Sequence, residues 1–370
     1  MYEMNEYMPV RVVSGDRCIA SHAEHLIQGT RCLIVTGAHS AKVSGALDDV
    51  TDVLTTHGIA YSVFNRIGEN PLLSVCREGG LAAVRAQADF VIGIGGGSSL
   101  DAAKAIAAFA QNPNIAPMEL FHPETLCPSL PLVLIPTTAG TGSEVNPYSI
   151  LTLDAKNCKK TFNSPHSYAK CAFLDGRYLQ SMKPASELSC ALDAFCHCIE
   201  SYLSPRATVL SAAYALNGGA ILWNILKGAG AAGLTVTEEN RSTLLYAASL
   251  GGLAINTTGT GFPHPLGYNL TLKRGIPHGR ACAVFTGEYI RHAMATAEGS
   301  ARLATFSDFL GTTPETVSQV IPSLSDVHLT LTDDEIRSYD AAVCSAGNFA
   351  NCVAPLPTDS ISDIYRRLFA

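Results

Sequence analysis

The chain of 370 residues carries little charge for its size: 15% charged residues stand against 47% hydrophobic ones, and 25 Lys and Arg against 32 Asp and Glu leave a formal charge of −7. Such a composition excludes a disordered, solvating chain. No Lys/Arg cluster accompanies the mild acidity, which argues against a nucleic-acid face and against an anionic membrane surface as partner. Long hydrophobic runs are missing as well. The most apolar windows, such as Phe90–Gly97, stop at Gly or Pro well short of the ~20 residues of a membrane span. Met1–Val10 holds two acidic residues and no apolar run, so a secretory signal is not expected. Twelve cysteines in 370 residues are far from the density of a disulfide-stapled domain, and none forms a Cys-x-x-Cys pair. Cys196 and Cys198, two apart, point to different faces of a helix. Free thiols in a reducing, cytoplasmic compartment are the expectation. Internal repeats and low-complexity tracts are absent too.

What is present is enough chain for two cored domains. In the first half, Cys32–Thr36, Ala60–Phe64, Phe90–Ile94, Leu132–Ile135 and Cys171–Leu174 read as strands. Ser44–Thr56, Pro71–Gln87 and Leu100–Gln111 between them read as helices. Strands apolar on both faces and spaced by helices indicate a parallel sheet in a βαβ arrangement. After about Lys183 the pattern turns helical: Ser186–Leu203 with Ser186 as N-cap, Thr208–Leu226, Glu238–Leu253, Gly279–Ala297 and Gly299–Leu310. The expectation is an α/β domain over residues 1–183 and an all-helical domain over 184–370, with a cleft between them for cofactor and substrate.

Two segments carry phosphate-binding chemistry. Gly93-Ile-Gly95-Gly96-Gly97-Ser98-Ser99-Leu-Asp101-Ala-Ala-Lys104 ends a strand and opens a helix. Successive glycines let backbone N–H groups approach an anion, and the helix N-terminus adds a positive dipole end. An ordinary strand-to-helix turn needs fewer glycines. The spacing departs from G-x-G-x-x-G, because Ser98 takes the third glycine's place, and Lys104 comes too late for a nucleotide-triphosphatase loop. Pro136-Thr137-Thr138-Ala139-Gly140-Thr141-Gly142-Ser143-Glu144 follows the next strand, with hydroxyls suited to a diphosphate, a ribose or a nicotinamide amide. Alone it is equally a polar turn with an N-cap.

Asp193 and His197 stand at i and i+4, and His264 and His278 lie fourteen residues apart. One carboxylate and three imidazoles suit Fe(II) or Zn(II) and suit Mg or Ca poorly. By spacing alone the four are equally a surface pair and two capping or core histidines.

GGGSSLDAAK followed about 40 residues later by PTTAGTGSE resembles the iron-containing (group III) alcohol dehydrogenases, most of all their 1,3-propanediol-dehydrogenase-like branch. The resemblance spans nearly the whole chain, including Glu69-Asn70-Pro71. It implies the dehydroquinate-synthase-like fold of that family, a parallel, Rossmann-like sheet domain followed by an all-helical domain. It implies one catalytic metal on Asp193, His197, His264 and His278, Fe(II) with Zn(II) as the other candidate. Cofactor contacts are implied for Asn70, Gly95, Gly96, Gly97, Ser98, Asp101, Thr137, Thr138, Thr141 and Ser143. They are implied also for Lys159, with neighbouring Lys160 leaving the register open. Many relatives carry a histidine where this chain has Tyr268, which would pass a proton-relay role to Tyr268 or to water. Tyr268, with an unperturbed pKa near 10, is a poor proton acceptor.

Relatives that prefer NAD often have an acidic residue after the first strand. Here Gly37 takes that position, followed by His39, Ser40 and Lys42, so NADP is expected to be preferred over NAD. The implied reaction is reversible hydride transfer between NAD(P)(H) and a short-chain primary alcohol, diol or aldehyde, by a homodimer. Phe262, Tyr148 and the Cys196/Cys198 helix are candidates for the substrate wall, or core packing. Rival readings are a glycerol-dehydrogenase-like zinc polyol enzyme, a dehydroquinate-synthase-type lyase and a non-enzymatic metal or redox protein.

Overall fold

The computed structural model describes residues 4–155, 158–343, 346–354 and 356–370, less the side chain of Thr358. The chain divides into two compact units. One runs from Tyr7 to Met182 and adds Thr237–Ser249; the other comprises Lys183–Val236 and Leu250–Ala370 with the amino-terminal residues up to Glu6. Local bonding explains the out-of-sequence segment. Ser249 Oγ donates to buried Glu144, 2.7 Å away, and Gly176 lies so close to Ser242 that a Cβ there would fall 2.3 Å from its hydroxyl.

The first unit is built on a sheet of six parallel strands: β1 (Arg11–Ser14), β2 (Arg31–Gly37), β3 (Ala60–Ile67), β4 (Phe90–Gly95), β5 (Leu132–Pro136) and, later in the chain, β8 (Cys171–Leu174). A separate antiparallel hairpin joins β6 (Ser149–Leu153) to β7 (Cys158–Phe162). The spatial order of the large sheet is β1-β8-β5-β4-β2-β3. Strands β4, β5 and β8 are buried along their whole length. Alternate residues feed opposite faces: Leu33, Val35 and Val91 join one buried cluster, and Ile34, Ile92 and Ile94 the other. Helices Leu73–Arg85 and Gly97–Gln111 belong to the first cluster, and helix Ala46–Thr56 to the second.

The order of the strands positions the site. From β2 the chain moves outward to β3, then returns to the other side of β2 to form β4 and proceeds toward β5. Direction therefore reverses between β2 and β4, and the crevice at their carboxyl ends is where open α/β sheets bind ligands. Gly37 ends β2, and the glycine-rich loop follows β4.

The second unit is helical; among its described residues no strand is found beyond the isolated bridge Gly230–Gly233. Its first helix starts at Pro184, not after Ser186, since proline at the first position presets the helical φ; Lys183 is the N-cap. The stretch read as one helix, Gly279–Ala297, is two: His278–Ala283 and Thr286–Met294. Helix Val209–Leu226 is long and apolar enough to cross a membrane, with a mean hydropathy of 1.4. It buries Ala215, Gly218, Gly219, Leu222, Trp223 and Leu226 and packs beside helix Pro184–Tyr202.

Candidate metal centre and phosphate cradle

Helix Pro184–Tyr202 is buried along nearly all of its length from Leu188 to Ser201. Asp193, His197 and Glu200 follow one another at i, i+4 and i+7 on one face of it. His264 opens helix Pro263–Arg274, and His278 opens helix His278–Ala283. Gly279 explains how the last of these comes so near: a Cβ there would sit 1.8 Å from the Ser189 carbonyl oxygen, so only glycine lets this helix start press on the backbone beside Asp193.

Asp193 Oδ1 brings the three sequence-nominated imidazoles around it, although the donors that all lie within 4.8 Å of one another include those of Asp193, His264 and His278 but not that of His197. Asp193 Oδ1 lies 3.9 Å from His197 Nε2, 3.6 Å from His264 Nε2 and 3.7 Å from His278 Nε2. These separations exceed a hydrogen bond. They match the spacing of atoms that share an ion, since two ligands each about 2.1 Å from a tetrahedral metal stand about 3.4 Å apart. Asp193 Oδ1 and His264 Nε2 are both buried with no hydrogen-bond partner, on residues only 4% and 3% exposed. Leaving such atoms unpaired costs about 1–3 kcal/mol each, a cost that a cation between them removes. The donor set therefore fits a divalent ion of the Fe(II) or Zn(II) type.

Charge is arranged to the same end. Burial alone would raise the Asp193 pKa, but His197, His278 and His264 around it hold the carboxyl well below its ordinary value. Burial would depress His264, but Glu200 and Asp193 raise it to about 10. Glu200 was not nominated from the sequence. Its two carboxylate oxygens each lie 2.9 Å from His264 Nδ1, and Oε2 also accepts from the Gly261 N–H at 2.7 Å. A carboxylate on one ring nitrogen places the proton there and turns the lone pair of the other toward the metal position. Tyr268 stacks on His278, with centroids 5.5 Å apart. Cys282, also missed, adds a sulfur: one donor atom each from Asp193, His264, His278 and Cys282 lie within 4.8 Å of one another. Phe262 is fully buried against Tyr289 and His292, and Cys196 and Cys198 are fully buried too, so these are core residues and not a substrate wall. No disulfide joins any of the described cysteines.

In the α/β unit the three loops meet at the carboxyl ends of β2, β4 and β5. Gly95 has φ +146°, which favours glycine, and a Cβ there would sit 2.6 Å from Ser99 Oγ. Cβ atoms on Gly96 and Gly97 would press on Thr138 and Thr141, at 3.1 and 2.5 Å. The glycines are thus needed both to seat the second loop and to bare their N–H groups. Gly96 is the N-cap of helix Gly97–Gln111, and no side chain caps that N-terminus. Thr137 is buried and donates its N–H to Gly95. Ser98 Oγ accepts from the Asn70 N–H at 3.3 Å, with Asn70 in the left-handed region. Gly37 ends beside Ser40 and Ser99; His39, Ser40 and Lys42 are exposed.

Asp101 and Ser143 face inward. Ser143 Oγ donates to Asp101 Oδ1 (2.5 Å) and accepts from Lys104 Nζ (2.7 Å), and the Ile150 N–H donates to Asp101 Oδ2 (2.8 Å). Burial pushes the Lys104 ammonium down to about 8, against the pull of Asp101 and Glu144. This network ties both loops to strand β6. On β7, Lys160 lies over the Phe121 ring at 4.6 Å, while Lys159, on the other face of the strand, contributes to the charge felt by Asp101.

Residues 9–176 match the family model described as iron-containing alcohol dehydrogenase, and residues 188–343 match that of the Fe-containing alcohol dehydrogenase family, C-terminal. The chain is 30% identical to lactaldehyde reductase of Escherichia coli K12 over 264 residues, 71% of this chain and 68% of that protein. It is 30% identical to the NADPH-dependent aldehyde reductase YqhD of the same organism over 295 residues, 77% and 74% of the two chains. Among solved structures, an iron-containing alcohol dehydrogenase from Thermotoga maritima superposes with a TM-score of 0.88 at 32% identity, covering 100% of this chain and 99% of the other.

Proposed function

The chain belongs to the iron-containing alcohol dehydrogenase family, and from that premise we propose which residues carry its alcohol oxidoreductase activity and on what substrate. Asp193, His197, His264 and His278 hold one divalent ion, Fe(II) or, as second choice, Zn(II). A bound ion of this kind supplies Lewis acidity to an alcohol or carbonyl oxygen, and a bound nicotinamide takes or gives the hydride. The chain's own residues prepare both. Asp193, kept anionic by the surrounding imidazoles, supplies the site's negative charge. Glu200 holds the His264 proton on Nδ1. Tyr268, stacked on His278, offers a hydroxyl that passes a proton along without retaining it.

The uncapped N-terminus at Gly96 and the loop Thr137–Ser143 take the diphosphate and the nicotinamide end, with Asn70 and Lys159 beside them; Asp101 acts through Ser143. NADP is preferred over NAD, because Gly37 presents no carboxylate to repel a 2′-phosphate while His39, Ser40 and Lys42 offer donors. The substrate is a short-chain alcohol, diol or the matching aldehyde. Exposed Tyr61 and Val63 on edge strand β3 support a homodimer through the sheet edge, and the absence of disulfides among described cysteines supports a cytoplasmic setting.

The observation that carries the reading is the pair of orphaned buried atoms, Asp193 Oδ1 and His264 Nε2, facing each other across an ion-sized gap. The test is purified protein with Fe(II) or Zn(II), NADPH and a series of short aldehydes, followed at the nicotinamide absorbance. Loss of absorbance, faster with NADPH than with NADH, is expected. Unchanged absorbance with every aldehyde contradicts the proposal.

A further inference from the structure

One donor in the metal cluster belongs to no pattern named so far. Cys282 stands one helical turn after His278 and is fully buried. Its sulfur lies 3.7 Å from both ring nitrogens of His278. Gly267 secures it from the other side, where a Cβ would fall 3.0 Å from that sulfur and 2.9 Å from the Ala281 carbonyl oxygen. The thiol is therefore packed against helix Pro263–Arg274 and beside the gap that Asp193 Oδ1 and His264 Nε2 face without partners. Zinc–sulfur bonds of about 2.3 Å and zinc–nitrogen bonds of about 2.0–2.1 Å separate neighbouring ligand atoms by about 3.6 Å. The 3.7 Å to His278 matches that spacing, and the donor atoms of Asp193, His264, His278 and Cys282 all lie within 4.8 Å of one another.

We infer that Cys282 is a sulfur donor to the ion at this centre, which makes the site a mixed oxygen, nitrogen and sulfur one. The step is a ligand exchange without redox change: the S–H bond gives up its proton to solvent, and the sulfur takes the place of one water of the incoming hydrated ion. A thiolate favours thiophilic ions, so it raises the affinity for Zn(II) relative to Fe(II) above what a carboxylate and three imidazoles alone give. The inference rests on the proposed metal reading, and its test separates the two.

Metal-free protein is titrated with Co(II) and its optical spectrum recorded for the wild type, Cys282→Ser and Cys282→Ala. All three are expected to take up one Co(II) per chain with visible ligand-field bands. Only the wild type is expected to show the intense near-ultraviolet sulfur-to-cobalt charge-transfer band. In competition, the preference for Zn(II) over Fe(II) falls at least about tenfold in the variants. Ligand-field bands in the wild type without the charge-transfer band overturn the Cys282 inference and leave the four-residue site standing, and so does a band that survives both substitutions. Failure of the wild type to bind one Co(II) overturns both. Circular dichroism of each variant verifies that a lost band is not lost folding.

Discussion

Replacing Glu200 by Gln tests the histidine geometry with a change of one atom. In the wild type both carboxylate oxygens face His264 Nδ1 at 2.9 Å, and Oε2 serves the Gly261 N–H as well. A glutamine oxygen in the Oε2 position keeps the Gly261 bond. Its NH2 group then confronts Nδ1, and two donors meet. The imidazole relieves the clash by moving its proton to Nε2, the nitrogen whose lone pair faces Asp193 Oδ1. Loss of such a carboxylate partner costs about 10–100-fold in metal affinity, or about 1.4–2.8 kcal/mol. The alternative, a buried donor left unpaired, costs about 1–3 kcal/mol and leads to the same range. Chelator competition with Zn(II) on wild type and Glu200→Gln measures this directly. An affinity within twofold of wild type, in a variant with an unchanged thermal midpoint, refutes the reasoning.

Metal uptake is expected to release a proton. His264, raised to about 10 by Glu200 and Asp193 against burial, is protonated near neutral pH without metal, and the arriving ion displaces its Nε2 proton to solvent. Apparent affinity therefore climbs by about tenfold per pH unit from 7 toward 10 and weakens as pH falls; calorimetry in buffers of different ionisation enthalpy counts the proton. Gly97→Ala places a Cβ 2.5 Å from Thr141 and displaces the second loop; NADPH binding by fluorescence is expected to weaken at least tenfold with metal content unchanged, a roughly 1.4 kcal/mol effect. Gly37→Asp is expected to invert the ratio of kcat/KM for NADPH over NADH by at least about tenfold. Lys104→Met removes the buried cation 3.9 Å from the Asp101 carboxylate and the donor to Ser143 Oγ and the Tyr148 carbonyl; denaturant melts are expected to show a loss of about 3–5 kcal/mol.

The sequence displayed the central strands because β2, β4, β5 and β8 are covered on both faces and read as unbroken apolar runs. Strand β1 escaped notice since its four residues are largely exposed at the sheet edge, and β6–β7 because half-exposed β7 mixes lysines with apolar residues. The four residues proposed to hold the metal were nominated through family resemblance, spacing alone leaving them open, and the fold places Asp193 Oδ1 within 3.9 Å of each imidazole. Glu200 was not, since its partner is 64 residues away and a glutamate in a helix gives no hint of burial. Cys282 was within reach: it follows His278 by four positions on one helix. The break between Ala283 and Thr286 has no proline at it, so the two helices read as one helical run in the sequence.

The most direct measurement is an anomalous-scattering map at the iron absorption edge from crystals of the iron-loaded protein. The account predicts one strong peak per chain at bonding distance from Asp193, His197, His264 and His278. A peak elsewhere, or none while those side chains keep their places, contradicts it.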